Sequence, residues 1–459
     1  SKISVTVAKV NGEDVQVIYY KETPAAGIRY SSIYNDLQAR RALEKAVRDA
    51  EMELDIKITQ AVVGMPKFPI RQESGNATIQ DRGEDTEITE EDIVDLKRFA
   101  QSLYPIEDGS KEAIYGSVAQ SFSDGENFQI IEEDIIGMGS DTLEGNFKIF
   151  IGKKGNLNKI DTLMNKTGVV PMRKYFTAES TARAVLRDSE MESGVALIDF
   201  GGGCTSVSIY QGKIMRHFAS IPFGGKNITS DIQIESEGSI GRDLAENIKF
   251  AFGACMPEKL QNLSEKIIHI KSSSTEPNKQ LPVKYLSEII TARVEEIMMA
   301  MIYEIQESGF ADMLRSGIVV TGGSALLPNL GAFINDLSGF KVRTGFPKKL
   351  FSCQGCEAMF EPSASTSVGL ILAASDNDEI NCAHHNDVTV KVEEPAADGN
   401  LFSDASMEEM VEKEPKPAPA PEKPKAPAKP AKKGVWKDKI GSFVGNIFES
   451  VMNEVESDR

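Results

Sequence analysis

The stretch Leu197–Tyr210, LIDFGGGCTSVSIY, decides how this chain is read. Two apolar, β-branched runs flank three consecutive glycines, and Asp199 stands just ahead of them. A tight hairpin needs one or two glycines, not three behind an aspartate. Glycine has no Cβ, so a run of them lets backbone N–H groups converge on an anion. A triphosphate suits that cradle. An aspartate at the end of the preceding strand suits a Mg²⁺ ion held through water and an attacking water molecule. Thr205 adds a hydroxyl on the far side of the turn. Alone, the DxGGGxT pattern is equally compatible with a glycine-rich β-turn. A kinase-type Asp-Phe-Gly reading fails, because no HRD-type loop or VAIK-type strand accompanies it.

A second stretch repeats the setting. Ile318–Leu327, IVVTGGSALL, again runs a buried strand into Gly322, Gly323 and Ser324 and then into a helical start. Such a turn brings backbone close to a flat base or a sugar. Neither a GxxxxGK[ST] nor a GxGxxG pattern occurs, so P-loop and Rossmann binding are unsupported.

The 459 residues exceed what one core organises and imply two or more domains. A formal charge of −18 argues against a general nucleic-acid binder. Five cysteines over this length provide no disulfide framework and point to a reducing cytoplasm. No apolar run is long enough to span a bilayer. The opening SKISVTV reads as an alternating strand, not as a signal peptide.

Up to about residue 374 strand-like and helix-like patterns alternate, the mark of an α/β protein. Lys2–Val10 and Val15–Tyr20 read as a hairpin around Asn11-Gly12. Leu37–Ala50 has helical spacing, with Leu37, Ala42, Leu43, Ala46 and Val47 on one face. The polar segment from about Met65 to Gly152 contains Thr89–Ala100, where a Thr N-cap and an acidic first turn announce a helix. The hairpin unit of Lys2–Val17 echoes that of Thr205–Phe218, which points to a duplicated, two-lobed protein. The second copy has a strand and glycine loop ahead of it, whereas the first begins at residue 1. The expectation is a first lobe lacking its first strand.

These residues carry a resemblance. Asp199–Thr205 resembles the second phosphate motif of the actin-like ATPase superfamily, and Thr321–Ser324 its adenosine motif. The intervening Ile221–Asp231, IPFGGKNITSD, and Ala245–Lys249, AENIK, are more specific and are similar to FtsA, a family of bacterial division proteins. The resemblance spans about residues 1–374 in order. It implies a duplicated, ribonuclease-H-like, actin-like α/β fold: a first lobe over 1–65 and 151–190, and an inserted FtsA-type subdomain over 66–150. The second lobe would cover 191–374, with 226–312 as its outer part. It also implies ATP with Mg²⁺. Asp199 would serve metal and water, and Gly201, Gly202, Gly203 and Thr205 the phosphates. Ser1 and Lys2 would end the first phosphate motif, whose opening would lie before residue 1. Gly322, Gly323 and Ser324 would approach the adenosine, and Glu246 and Lys249 the base or ribose. Without the family, those last two read as an exposed i,i+3 ion pair. Gly224 and Gly225 would close the cleft. Glu179, in the inter-lobe connection Ala178–Ala182, would orient water, although a solvent-facing helix residue fits as well.

After Ser375 the composition changes. Residues 375–433 read as a disordered linker, culminating in the Pro/Ala/Lys run of Pro415–Pro430, which cannot build a core. Residues 434–459 regain an apolar stripe: Trp436, Ile440, Phe443, Val444, Ile447 and Phe448, then Val451 and Met452. Lys432, Lys433, Lys437 and Lys439 would be drawn to anionic lipid, each worth about 1 kcal/mol near the surface. An interfacial membrane helix is favoured over a core helix or a groove-binding helix, and the family's terminal helix points the same way. The acidic end, Glu449, Glu454, Glu456 and Asp458, leaves insertion to the lysine-rich half.

Cys353 and Cys356, with Cys382, His384 and His385, invite a zinc reading, but the spacing matches no standard ribbon, and reduced thiols are the better expectation. The function implied is an ATP-binding protein with at most slow hydrolysis. It would polymerise and tether FtsZ filaments, through the FtsZ C-terminal peptide, to the cytoplasmic face of the cell membrane at the division site. Other division proteins are expected partners, and nucleic acid is not. The alternative is a small-molecule kinase of the same superfamily, for which no convincing substrate-binding cluster faces the loops. A chaperone ATPase would need a further folded domain after residue 374.

Overall fold

The computed structural model describes residues 2–12, 14–80, 86–103, 109–129, 132–236, 240–260, 265–270, 279–376 and 381–385. Ser1, nearly all of the linker and the whole terminal amphipathic segment lie outside the described residues.

Strands β1 (Lys2–Asn11) and β2 (Asp14–Pro24) form the first hairpin, with Lys2 opposite Pro24 and Asn11 opposite Asp14. Val15, Val17 and Tyr19 alternate into the core, the period-2 signature of a half-buried strand. Helix α1 (Asp36–Leu54) starts at Asn35, whose side chain accepts the Gln38 N–H at 3.0 Å. Its buried stripe is Ala39, Leu43, Ala46 and Ala50, and Leu37 is exposed. Of the expected face, Leu43 and Ala46 are buried and Ala42 and Val47 partly so, and only Leu37 in the first turn points outward.

Strand β3 (Gln60–Gly64) leads into a separate antiparallel sheet of β4 (Ile70–Ile79), β5 (Glu112–Ser123) and β6 (Leu143–Lys153), with β6 in the middle. Helix α2 (Glu90–Leu103) begins where Thr89 and Asp92 cap each other reciprocally, at 2.8 and 3.3 Å. It buries Ile93, Leu96 and Ala100 against Phe122, Phe147 and Ile149. On the other side, Phe150 stacks on Phe176 at 4.9 Å, and Phe176 meets Phe218 edge-on at 5.1 Å. These rings join the inserted sheet to the rest of the body. Helix α3 (Lys154–Lys166) then returns the chain to β7 (Val170–Tyr175), parallel to β3, and α4 (Thr177–Val185) crosses to the second lobe.

The second lobe holds β8 (Val195–Phe200), β9 (Thr205–Gln211) and β10 (Ile214–Ile221), followed by α5 (Gly225–Glu235), α6 (Arg242–Phe252) and α7 (Val283–Glu307). Strands β11 (Ile318–Thr321) and β12 (Val342–Thr344) complete one sheet in the order β10-β9-β8-β11-β12. Strand β8 is buried on both faces: Ala196, Ile198 and Phe200 pack toward α7, and Val195 and Leu197 toward α4. Helix α8 (Ser365–Ser375) lies against α4, and the Thr181 and Thr366 hydroxyls meet at 2.9 Å.

The two lobes repeat one plan, the two-lobed actin-like fold. Hairpin β1–β2 corresponds to β9–β10, whose turn puts Gly212 and Lys213 at φ +60°. The parallel pair β3–β7 corresponds to β11–β12. In the second lobe β8 joins hairpin to parallel pair. Among the described residues no strand does the same between β1 and β3.

Candidate functional site

The site is built where β8 and β11, parallel neighbours with Asp199 opposite Thr321, end side by side. Both run straight into glycine. Gly322 has φ +88°, and a Cβ there would stand 2.6 Å from the Phe200 carbonyl oxygen and 2.7 Å from an Asp199 carboxylate oxygen. Only glycine allows the adenosine-type loop to close against the phosphate-type loop. Ser324 completes the join by donating to the Gly201 carbonyl at 3.3 Å.

Helix α5 docks on the same loop. The Gly225 N–H donates to Gly201 at 3.0 Å and the Lys226 N–H to Gly202 at 2.7 Å. A Cβ on Gly224 would lie 2.4 Å from the Gly201 carbonyl oxygen, so close approach explains that glycine. Among the described residues, the N–H groups of Gly202 and Gly203 find no acceptor. Two half-exposed donors without a protein acceptor, and with no Cβ to cover them, form a loop suited to an anion.

One expectation needs correcting here. The Thr205 hydroxyl does not face the loop as a free donor. Thr205 is fully buried and donates to the Phe223 carbonyl at 2.8 Å. It holds the segment ahead of α5 against β9.

Lys249, buried on α6, donates to the Gly225 carbonyl and the Thr229 hydroxyl at 2.9 Å each and to Glu246 at 2.8 Å. Thr229 also donates to Glu246. The spacing is the i,i+3 ion pair anticipated from sequence, but it is sunk against α5 rather than solvated. Burial holds the Lys249 ammonium below its usual range, and Glu246 partly restores it.

Lys2 is held by Glu22 and by the Ser363 carbonyl at 2.9 Å. Ser4 and Ser367 share a hydrogen bond of 2.9 Å, so β1 is fastened to α8. The Tyr30-Ser31 turn, both residues at positive φ, reaches the glycine loop from the first lobe, with the Ser31 hydroxyl 3.9 Å from the Cys204 sulfur.

Glu179 is placed elsewhere. Thr177 and Thr181 on α4 face Met65 and Thr366, and at 100° per residue Glu179 projects from the opposite side. It lines a cavity of about 350 Å³ with Arg173, Tyr175, Arg183 and Asp376. Glu179 is nonetheless exposed, as a solvent-facing helix residue would be; crowding by its neighbours in this cavity raises its pKa, against the pull of Lys97, and its charge bears on Tyr210. Tyr210 stands at the end of the β8–β9 ladder remote from Asp199, opposite Val195. The structure does not bring Glu179 to the Asp199 carboxylate.

Among the described residues, no three His, Cys, Asp or Glu side chains gather in one place. Cys353 pairs with β2, whereas the Cys382 carbonyl accepts from Thr59.

Residues 196–369, the span carrying both glycine loops and the AENIK helix, match the family model of the cell division protein FtsA. Over that span the chain resembles FtsA. The cell division protein FtsA of Neisseria meningitidis serogroup B is 28% identical over 82% of this chain and 88% of its own. That of Streptococcus pneumoniae serotype 2 is 25% identical over 98% of this chain and 97% of its own. Among solved structures, a PilM–PilN type IV pilus biogenesis complex shares the fold at a TM-score of 0.55, with 11% identity over 81% of this chain and 96% of that one.

The FtsA-like chain also places residues at the site that sequence reading passed over. Lys67, between two prolines, forms an ion pair with Asp199 and lies 3.5 Å from the Thr366 hydroxyl. Lys226 is held below the usual lysine range by burial and by the Arg242 and Arg29 guanidinia, with Glu246 opposing. Lys226 was legible as the residue after Gly224-Gly225. Nothing local marks Lys67 or Arg29, which come from the other lobe.

Proposed function

We propose that this FtsA-like chain is an actin-like cell division protein that binds ATP with Mg²⁺ in the cleft, polymerises, and tethers FtsZ filaments to the cytoplasmic face of the cell membrane at the division site. The observation that carries the reading is the meeting of Asp199, the Gly201–Gly203 loop, Gly322 and the Lys249–Glu246 pair at one junction. These residues fit the group. The open Gly202 and Gly203 N–H groups suit phosphate oxygens, Asp199 suits a divalent ion, and Gly322, Gly323 and Ser324 suit the adenosine. The Lys249–Glu246 network sets the wall for base or ribose. A bound nucleotide here joins two lobes, a role that needs closure rather than turnover.

The filament reading rests on kinship and on the outer part of the second lobe. There Ile234, Leu244, Phe250 and Phe252 are exposed, Phe250 at 74%. Such a surface suits an apolar peptide, as the FtsZ C-terminus would offer. The membrane reading rests on the amphipathic stripe of Trp436–Phe448 and its lysines. Among the described residues no helix is long and apolar enough to cross a membrane.

Cosedimentation with vesicles of anionic lipid tests the tether. The full chain should pellet, and a chain ending at Lys433 should not. Equal pelleting of both would sink it. Saturable binding of the FtsZ C-terminal peptide to the body tests the partner, and its absence would remove that part of the reading.

A further inference from the structure

Lys67 reaches from the segment after β3 to Asp199 near the end of β8. It stands in Met65–Ile70, MPKFPI, where Pro66 and Pro69 stiffen the backbone. That backbone is tied down on several sides. The Met65 N–H donates to Tyr175 at 2.9 Å, the Ser220 hydroxyl to the Lys67 carbonyl at 2.7 Å, and the Ser32 hydroxyl to the Phe68 carbonyl at 3.3 Å. Only the side chain is left to move. It runs to Asp199, and both side chains are largely buried, at 17% and 10% exposure.

A buried Lys–Asp pair is a poor device for stability, because desolvating two charges offsets most of their attraction. It is a good device for position. A carboxylate engaged by a divalent ion no longer compensates its ammonium. The Lys67 Nζ then needs another anion within reach of Asp199, in a place where an unpaired charge is costly. The open N–H groups of Gly202 and Gly203 mark where such an anion would lie.

We propose that Lys67 is a terminal-phosphate contact, an ammonium that exchanges its pairing with Asp199 of the second lobe for the γ-phosphate of a nucleoside triphosphate. It makes closure of the lobes sensitive to that phosphate. The assignment rests on the nucleotide reading above and goes beyond it in naming which residue distinguishes triphosphate from diphosphate.

The test is calorimetric titration of the full chain with MgATP and with MgADP, for wild type, Lys67→Gln and Lys67→Arg. A charge-assisted contact is worth roughly 10- to 100-fold in affinity. Lys67→Gln should lose about that factor for MgATP and no more than about threefold for MgADP, and Lys67→Arg should retain the preference for MgATP. An unchanged ATP-to-ADP ratio in Lys67→Gln overturns the assignment while leaving nucleotide binding intact. A wild-type chain that binds neither nucleotide overturns both. Amine labelling of the wild-type chain, read by mass spectrometry, needs no variant to fold. MgATP should shield Lys67 more than MgADP does, and equal shielding counts against the contact.

Discussion

The Lys249 ammonium lies 2.9 Å from the Gly225 carbonyl oxygen, so a side chain of α6 closes on the first turn of α5. That contact, with those of Lys249 and Glu246 to the Thr229 hydroxyl, fastens α6 to the helix that docks on the glycine loop. Glu246 is the carboxylate in ion-pair range of this lysine among the described residues. Glu246→Gln should therefore destabilise the fold by about 1–3 kcal/mol, since a buried ammonium loses its counter-charge. The double variant Glu246→Gln with Lys249→Met should recover much of that loss. A double-mutant cycle by urea unfolding measures the coupling, and additive effects would deny it.

Gly322 and Gly323 are neighbours with opposite tolerances. At Gly322 a methyl group would meet Phe200 and Asp199 at 2.6 and 2.7 Å, at a φ of +88°. At Gly323 the nearest atom is 3.8 Å away. Gly322→Ala should cost more than about 1 kcal/mol and weaken nucleotide binding, because the loop must withdraw from Asp199. Gly323→Ala should shift stability by less than about 1 kcal/mol. Chemical denaturation of the two variants side by side decides the matter.

Cys204, buried behind the glycine loop, has its thiol pushed up from 9.0 to about 11 by desolvation, with the Ser31 hydroxyl opposing. A thiol whose folded pKa is raised favours the native state below its unfolded pKa. That contribution is lost as pH climbs from 9.0 through about 11. In Cys204→Ala the fall of Tm with pH across this window should be shallower than in wild type. In the native chain Cys204 should resist a thiol reagent at pH 8 and react on unfolding.

The terminal segment should bind by charge as well as by apolar burial. Replacing Lys432, Lys433, Lys437 and Lys439 with alanine should weaken binding to anionic vesicles by about 1 kcal/mol per residue. Binding to neutral vesicles should change little, and raised salt should weaken wild type toward the variant. A titration of vesicle composition reads both effects.

Local pattern determined much of this protein. The hairpin turns at Gly12 and Gly212, the capped start of α2 at Thr89, the strand-to-glycine transitions after Phe200 and Thr321, and the pairing of Glu246 with Lys249 all rest on residues a few positions apart. Side-chain period, capping chemistry and the absence of a Cβ act over that range, so they can be read in order along the chain. Tertiary structure decided the rest. Lys67 and Asp199 are 132 positions apart and meet because two lobes close on one cleft. Thr205 is turned inward by the Phe223 carbonyl, and Glu179 is turned away by the packing of Thr177 and Thr181. A helix's period says which residues share a face. It does not say which face meets the cleft, because that depends on partners supplied from elsewhere in the chain.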